Sequence, residues 1–248
     1  MSHVYDDTFF DYIDSGARAS ARALIAHLQP LIMAQSVVDF GSGRGVWLAE
    51  WKAAGVDYIF GLDGDYVNRD QLAIPDEAFR AVDLTQAQNL ERRFDLAQSL
   101  EVGEHLPECA AKTLVASMVA SSDRVLFSAA VKGQGGEFHI NEQPLSYWQN
   151  LFEAHGYYAY DCIRPGLAGN TSVEPWYRYN SVFYANDAGA QELSESVLAT
   201  RVVDKLKDAG NLRWRARKAA VSLLPRSVVT MIAKRRAALL AARAANAG

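Results

Sequence analysis

Apolar positions recur at helical spacing over residues 8–29, then from residue 36 give way to short apolar runs alternating with helical stretches. The N-terminal pattern predicts one or two helices, with a break near Ser15-Gly16. Further along, the runs predict strands over 36–40, 58–62, 79–83, 94–100 and 124–130. Helices are expected over 45–54, about 108–120 and 145–155, with Gly156 as the stop of the last. Tyr157–Ile163 and Tyr179–Tyr184 read as two more strands. Strands separated by helices imply an α/β fold, a parallel sheet with helices on both faces. Beyond it, residues 191–209 have helical periodicity through Leu193, Val197, Leu198, Val202, Val203 and Leu206, while 212–224 and 226–245 alternate basic and apolar residues around Pro225. The expected division is a helical cap (1–30), a central domain (31–188) and a helical extension with a basic amphipathic tail (189–248).

The 248 residues are half hydrophobic, enough for one α/β domain with a full core. No apolar run is long enough to span a bilayer, and the N-terminus lacks the charge and apolar core of an export signal. Cys109 and Cys162 form no metal-type or redox-type spacing, so a reducing cytoplasm is the expected compartment. A net charge of −4 conceals an asymmetry: residues 211–248 carry nine Lys/Arg and no acid, leaving 16 basic against 29 acidic residues in 1–210. An acidic body disfavours a polyanion at its pocket face, and nucleic acid is accordingly not an expected partner.

Chemistry concentrates at Ser36-Val-Val-Asp-Phe-Gly-Ser-Gly-Arg-Gly45. A buried strand running into Gly41, Ser42, Gly43 and Gly45 and then into a helix presents backbone N–H groups that a ligand can approach closely. The Gly-x-Gly-x-Gly spacing differs from the Gly-x-Gly-x-x-Gly of a dinucleotide site. Asp39 sits inside the motif, and Asp63, followed by Gly64, ends the next strand, where an acid suits a ribose diol.

On these residues, the chain from about 36 to 185 resembles the class I S-adenosylmethionine-dependent methyltransferases. The resemblance implies a Rossmann-like seven-stranded sheet whose last two strands form a hairpin, the final strand running antiparallel. It implies S-adenosyl-L-methionine as cofactor, with Asp39, Gly41, Gly43 and Gly45 around its methionine part and Asp63 on the ribose. Asp83, with Leu84, maps onto the acid that binds the adenine amino group, and Ser99 of the fourth strand joins the cofactor set. Arg18 is a candidate for the cofactor carboxylate or else a solvated helix arginine.

Methyl transfer to a hydroxyl needs alignment and help with the proton, from a base or a metal. Strand four ends in Glu101-Val-Gly-Glu104-His105, and Gly135-Gly-Glu-Phe-His139-Ile-Asn-Glu142 follows strand five. On a helical turn Glu101, Glu104 and His105 share one face, and with His139 they form a candidate site for Mg²⁺ or Mn²⁺. The segment resembles metal-assisted O-methyltransferases, including those acting on vicinal ribose hydroxyls of RNA ends. Two other readings stand beside it: His105 or His139 as a metal-free base, or a structural Glu-His-Leu segment such as quinone-pathway enzymes carry.

Loop 164–178 is expected at the carboxyl edge of the sheet, and Trp176, Tyr177, Arg178 and Asn180 suit a sugar ring by stacking and hydrogen bonding, unless they are hairpin packing. Tyr5, Phe9 and Phe10 are candidates for a lid or a core face. The basic tail is suited to an anionic membrane, a second subunit, another protein or the acidic body itself. With Trp214 as its one aromatic, it is poorly suited to RNA. The leading expectation is an O-methyltransferase acting on a hydroxyl of a saccharide, oligosaccharide or polyol-like small molecule with divalent metal assistance. The rivals are a metal-independent quinone, phenol or secondary-metabolite enzyme and a non-catalytic cofactor-binding scaffold.

Overall fold

The structure, a computed structural model, describes residues 7–225, 227–233 and 235, with side-chain surroundings from residue 16 onward. Helix α1 spans Asp7–Ile32, and β1 (Ser36–Phe40), α2 (Val46–Ala53), β2 (Tyr58–Asp63), β3 (Phe79–Ala81), β4 (Leu96–Leu100), α3 (Ala111–Ser121) and β5 (Arg124–Ser128) follow. Next come α4 (Leu145–Glu153), β6 (Tyr158–Tyr160), α5 (Arg164–Leu167), α6 (Pro175–Asn180), β7 (Val182–Ala185), α7 (Asp187–Ala190), α8 (Glu195–Leu198) and α9 (Leu212–Ser222). The strands form one seven-stranded sheet in the order β3-β2-β1-β4-β5-β7-β6. Pairing is parallel from β3 to β5, and β7 is antiparallel to both β5 and β6, as the resemblance implied.

Each sheet face has its own core. On one, α1 contributes a stripe of Ala17, Ala21, Leu24, Ile25, Leu28 and Ile32, packed with Trp51 of α2. On the other, Met118 of α3 and Trp148 and Phe152 of α4 cover Val125 and Phe127 of β5. Gly156 has φ +77° just past α4, the left-handed stop expected there. Among the described residues no helix is long and apolar enough to cross a membrane.

Three local expectations are corrected. Helix α1 runs through Ser15-Gly16 without a break. Gly16 is there for a close approach, since a Cβ on it would lie 3.2 Å from Glu174 Oε1, and Ser20 Oγ donates to the Gly16 carbonyl. Loop 164–178 is largely helical: Pro175 opens α6, so Tyr179 and Asn180 lie in a helix and β7 begins only at Val182. Residues 191–209 hold one short helix, α8, after which the chain extends along the sheet edge. The Asp161 amide donates to the Thr200 carbonyl and the Val202 amide to that of Ala159, so edge pairing with β6 overrides the helical pattern.

Candidate active site

At the carboxyl ends of the parallel strands lies a cavity of about 870 Å³. Its floor is the turn after β1, where the amides of Gly41 and Ser42 both donate to the Leu62 carbonyl and the Gly43 amide to Asp63 Oδ2 at 2.7 Å. Gly41 has φ +89°, and a Cβ there would fall 2.3 Å from Val102, so only glycine lets the turn pass under the β4 loop. Gly45 (φ +81°) caps α2 against Ile74 and supports the turn without lining the cavity.

Asp39 is buried and lines the cavity. Its Oδ2 accepts from Gln98 Nε2 at 2.8 Å, and Gln98 Oε1 in turn accepts from Trp51 Nε1 at 2.7 Å. Oδ1 has no hydrogen-bond partner. Burial pushes the carboxyl from 3.8 up to about 7, Gln98 pulls against it, and the charge of Asp63 adds to the rise. Burial likewise raises Asp63, against hydrogen bonds from Tyr66 and the amides of Gly43 and Gly64. Asp83, past β3, also lines the cavity. Hydrogen bonds from the Thr85 hydroxyl and amide to its Oδ1 hold it below the ordinary carboxylate range.

The second cluster is acidic and imidazole-bearing. A Glu104 carboxylate oxygen, His105 and His139 offer one ligand atom each, all within 4.8 Å of one another, at the cavity wall. Loop geometry assembles them. The Ile140 and Asn141 amides both donate to the Glu104 carbonyl, tying the loop after β5 to the loop after β4. His139 Nδ1 hydrogen-bonds Glu142 Oε1 at 2.9 Å, while its Nε2 is 4.0 Å from Glu104 Oε1. Glu142 is fixed by the amides of Gly133 and Gly135. Burial acts to raise Glu142, but the His139 ring and those two amides outweigh it and hold the carboxylate below its ordinary range. A carboxylate at Nδ1 makes that nitrogen the donor and leaves Nε2 as an acceptor facing Glu104. Glu104 is fully buried, and burial followed by the neighbouring charge of Glu101 raises its carboxyl well above the ordinary value. A cation would relieve that strain.

Several predicted site residues lie elsewhere. Glu101 does not share a face with Glu104 and His105. It has φ +59°, and the helical turn begins only at Gly103. Its Oε2 instead accepts from Gln134 Nε2 at 2.7 Å, although the residue still lines the cavity. Asn180 is buried and donates to Gln134 Oε1, completing a chain Asn180–Gln134–Glu101 whose last two members line the cavity. Arg178 is buried too, donating to the Asn170 carbonyl with its guanidinium 4.9 Å from the Tyr179 ring, away from the cavity. Trp176 and Tyr177 do line it, Tyr177 edge-on to Trp47 at 5.0 Å. Ser99 is outside the site, donating to the Phe40 carbonyl to tie β4 to β1. Arg18 is 2.7 Å from Glu50, which Arg22 also engages, and the arginine of this end of the fold that lines the cavity is Arg44. The candidate lid residues Tyr5, Phe9 and Phe10 fall outside the side-chain description.

Gln98, Gln134 and Glu142 were not singled out from sequence. Gln98 had a signal, as a polar residue inside an apolar strand in register with Asp39. Glu142 had another, three residues after His139. Least expected is the tail: α9 and the helical stretch 227–233 fold back on the body, and Arg217, Val221, Leu224, Val229 and Ile232 wall the cavity. Arg217 donates to the Gln134 carbonyl, Lys218 Nζ pairs with Asp208, and Trp214 is buried.

An α/β sheet with a seventh, antiparallel strand, a glycine turn after β1 and acids at the carboxyl ends of β1 and β2 and just past β3 define a Rossmann-like S-adenosylmethionine-dependent methyltransferase. A family model described as a methyltransferase domain matches residues 13–160, and the chain belongs to that family. Similar solved structures include an O-methyltransferase family protein from Burkholderia thailandensis (TM-score 0.56, 13% identity, 73% of this chain and 60% of that one). They also include the methyltransferase domain of bacterial CtHen1-C (0.52, 19%, 69% and 98%). Magnesium protoporphyrin IX methyltransferase from Synechocystis PCC 6803, with bound S-adenosylmethionine, is a third (0.51, 18%, 75% and 87%). The chain thus spans 60% of the Burkholderia protein. At these identities the likeness is one of fold. Among curated proteins none gives a significant match.

Proposed function

We propose that this methyltransferase acts on oxygen, methylating a hydroxyl of a saccharide or polyol-like acceptor with the help of a divalent metal. The observation that carries the proposal is the convergence of Glu104, His105 and His139 at the wall of the cofactor cavity, with Glu142 orienting His139. S-adenosylmethionine, when bound, supplies an electrophilic methyl group. The residues suit its charge: the unpartnered Asp39 Oδ1 meets a cationic amino acid, and Asp63 and Asp83 suit the hydroxyls and amino group of a nucleoside. A divalent ion, when bound, would lower the proton affinity of an acceptor hydroxyl.

Two imidazoles and one carboxylate form a softer donor set than the one expected with Glu101, and it suits Mn²⁺ better than Mg²⁺. Glu142 holds the His139 tautomer that leaves Nε2 free to ligate. Trp176 and Tyr177 offer aromatic faces for the acceptor. A second reading has one specific support: the same His139–Glu142 pair has the geometry of a general base with its orienting carboxylate.

Calorimetric titration of Mn²⁺ into protein saturated with S-adenosylhomocysteine separates the two. Stoichiometric binding is expected, lost in His139→Ala and weakened about tenfold to a hundredfold in Glu142→Gln, with affinity for S-adenosylhomocysteine kept in both. No heat in the wild-type protein, with methyl transfer that survives a chelator, would overturn the metal reading in favour of the His139 base.

A further inference from the structure

The tail has two working faces, and the cavity accounts for only one. In α9, Trp214, Lys218 and Val221 face the body, with Arg217 alongside reaching the Gln134 carbonyl. The opposite side carries Leu212, Ala216, Ala219 and Leu223, spaced as one continuous helical stripe. All four are exposed, Leu212 at 84% and Leu223 at 85%. Arg213 and Arg215, also exposed, flank the stripe on its two sides. Past the turn at Pro225, Met231 and Ile232 are about half exposed. An apolar stripe edged by arginines is the pattern of a helix lying in a lipid headgroup layer, its leucines among the acyl chains and its guanidiniums among phosphates.

We infer that α9 and the turn after it dock on an anionic lipid surface and hold the cavity mouth against it. Charge complementarity selects this occupant. Residues 211–248 bear nine cations and no acid, whereas 1–210 have a net charge of −13. An anionic bilayer attracts the tail and repels the body, so one orientation is favoured. Val221, Leu224, Val229 and Ile232 wall the cavity from the same segment, so the docked surface lies beside the acceptor entrance. That a lipid-carried saccharide enters there rests on the function proposed above; the docking does not.

The experiment is flotation of the full chain, without cofactor or acceptor, with phosphatidylcholine vesicles and with vesicles containing about one-third phosphatidylglycerol. Flotation is expected only with the anionic vesicles, weakening as salt rises. Leu212→Asp combined with Leu223→Asp should reduce it at least about tenfold. Both positions point to solvent, and unchanged affinity for S-adenosylhomocysteine verifies that the variant is folded. Absence of flotation, equal flotation with both vesicle types, or flotation indifferent to the double substitution would overturn the inference. So would light scattering that shows a dimer in the wild type and a monomer in the variant, since the stripe would then be a subunit contact. Failure of metal binding or of methyl transfer leaves this result untouched, so the two proposals fail separately.

Discussion

Asp39 shows how much a single buried carboxyl controls. Its proton is held up to about pH 7 by burial, whereas an unfolded chain releases it near the ordinary value of 3.8. Between those values the cofactor-free fold binds the proton that the unfolded chain has lost, so its stability falls as pH rises through that window. A cationic ligand prefers the ionised form, so its affinity should rise through the upper part of the same window. Asp39→Asn should therefore flatten both trends and weaken S-adenosylmethionine about tenfold to a hundredfold, the worth of one charge-assisted hydrogen bond. Calorimetry from about pH 6 to 8 checks the affinity, and thermal melts of the free protein check the stability. The acids of this half of the site were legible because each lies at or next to the carboxyl end of a strand that the hydrophobic pattern locates. Arg178 and Asn180 were misread for the converse reason. Their side-chain directions depend on α6, which Pro175 starts inside what looked like an open loop. Glu101 was misassigned because its place in the ligand set depends on one left-handed residue, which spacing does not reveal.

Among the elements, the turn joining β1 to α2 has the least freedom. Gly41→Ala should cost at least about 2 kcal/mol, because it combines a left-handed backbone with overlap on Val102. Adding Val102→Ala should recover the overlap and leave the backbone part, a partition that denaturant melts of the two variants would read directly. Alternation of strand and helix located the parallel part of the sheet to within a few residues, since its central strands β1, β4 and β5 are short runs buried on both faces. Segment 191–209 shows where periodicity fails: an apolar spacing compatible with a helix is spent on covering the exposed edge of β6. Gly16 likewise looked like a punctuation mark, yet it is a contact point between α1 and Glu174.

At the scale of the molecule, the chain divides into an acidic body that holds the chemistry and a basic tail that closes over it. The asymmetry was visible in the charges alone. Which way the tail turns was not, because its inner face is recognised by a group far away in sequence, the Gln134 carbonyl. Gln134 is the junction. Its carbonyl accepts from Arg217, its amide nitrogen donates to Glu101, its amide oxygen accepts from Asn180, and the loop it begins carries His139. The contacts that hold the cavity wall at Glu101 are therefore continuous with those that seat the tail. A product that leaves past the tail has to slacken the Arg217 contact that seats it. The slow event is then expected to be mechanical, as with other closing segments. Added sucrose or glycerol should accordingly depress kcat in proportion to solvent viscosity, and Arg217→Ala should raise the rate of product departure while blunting that dependence.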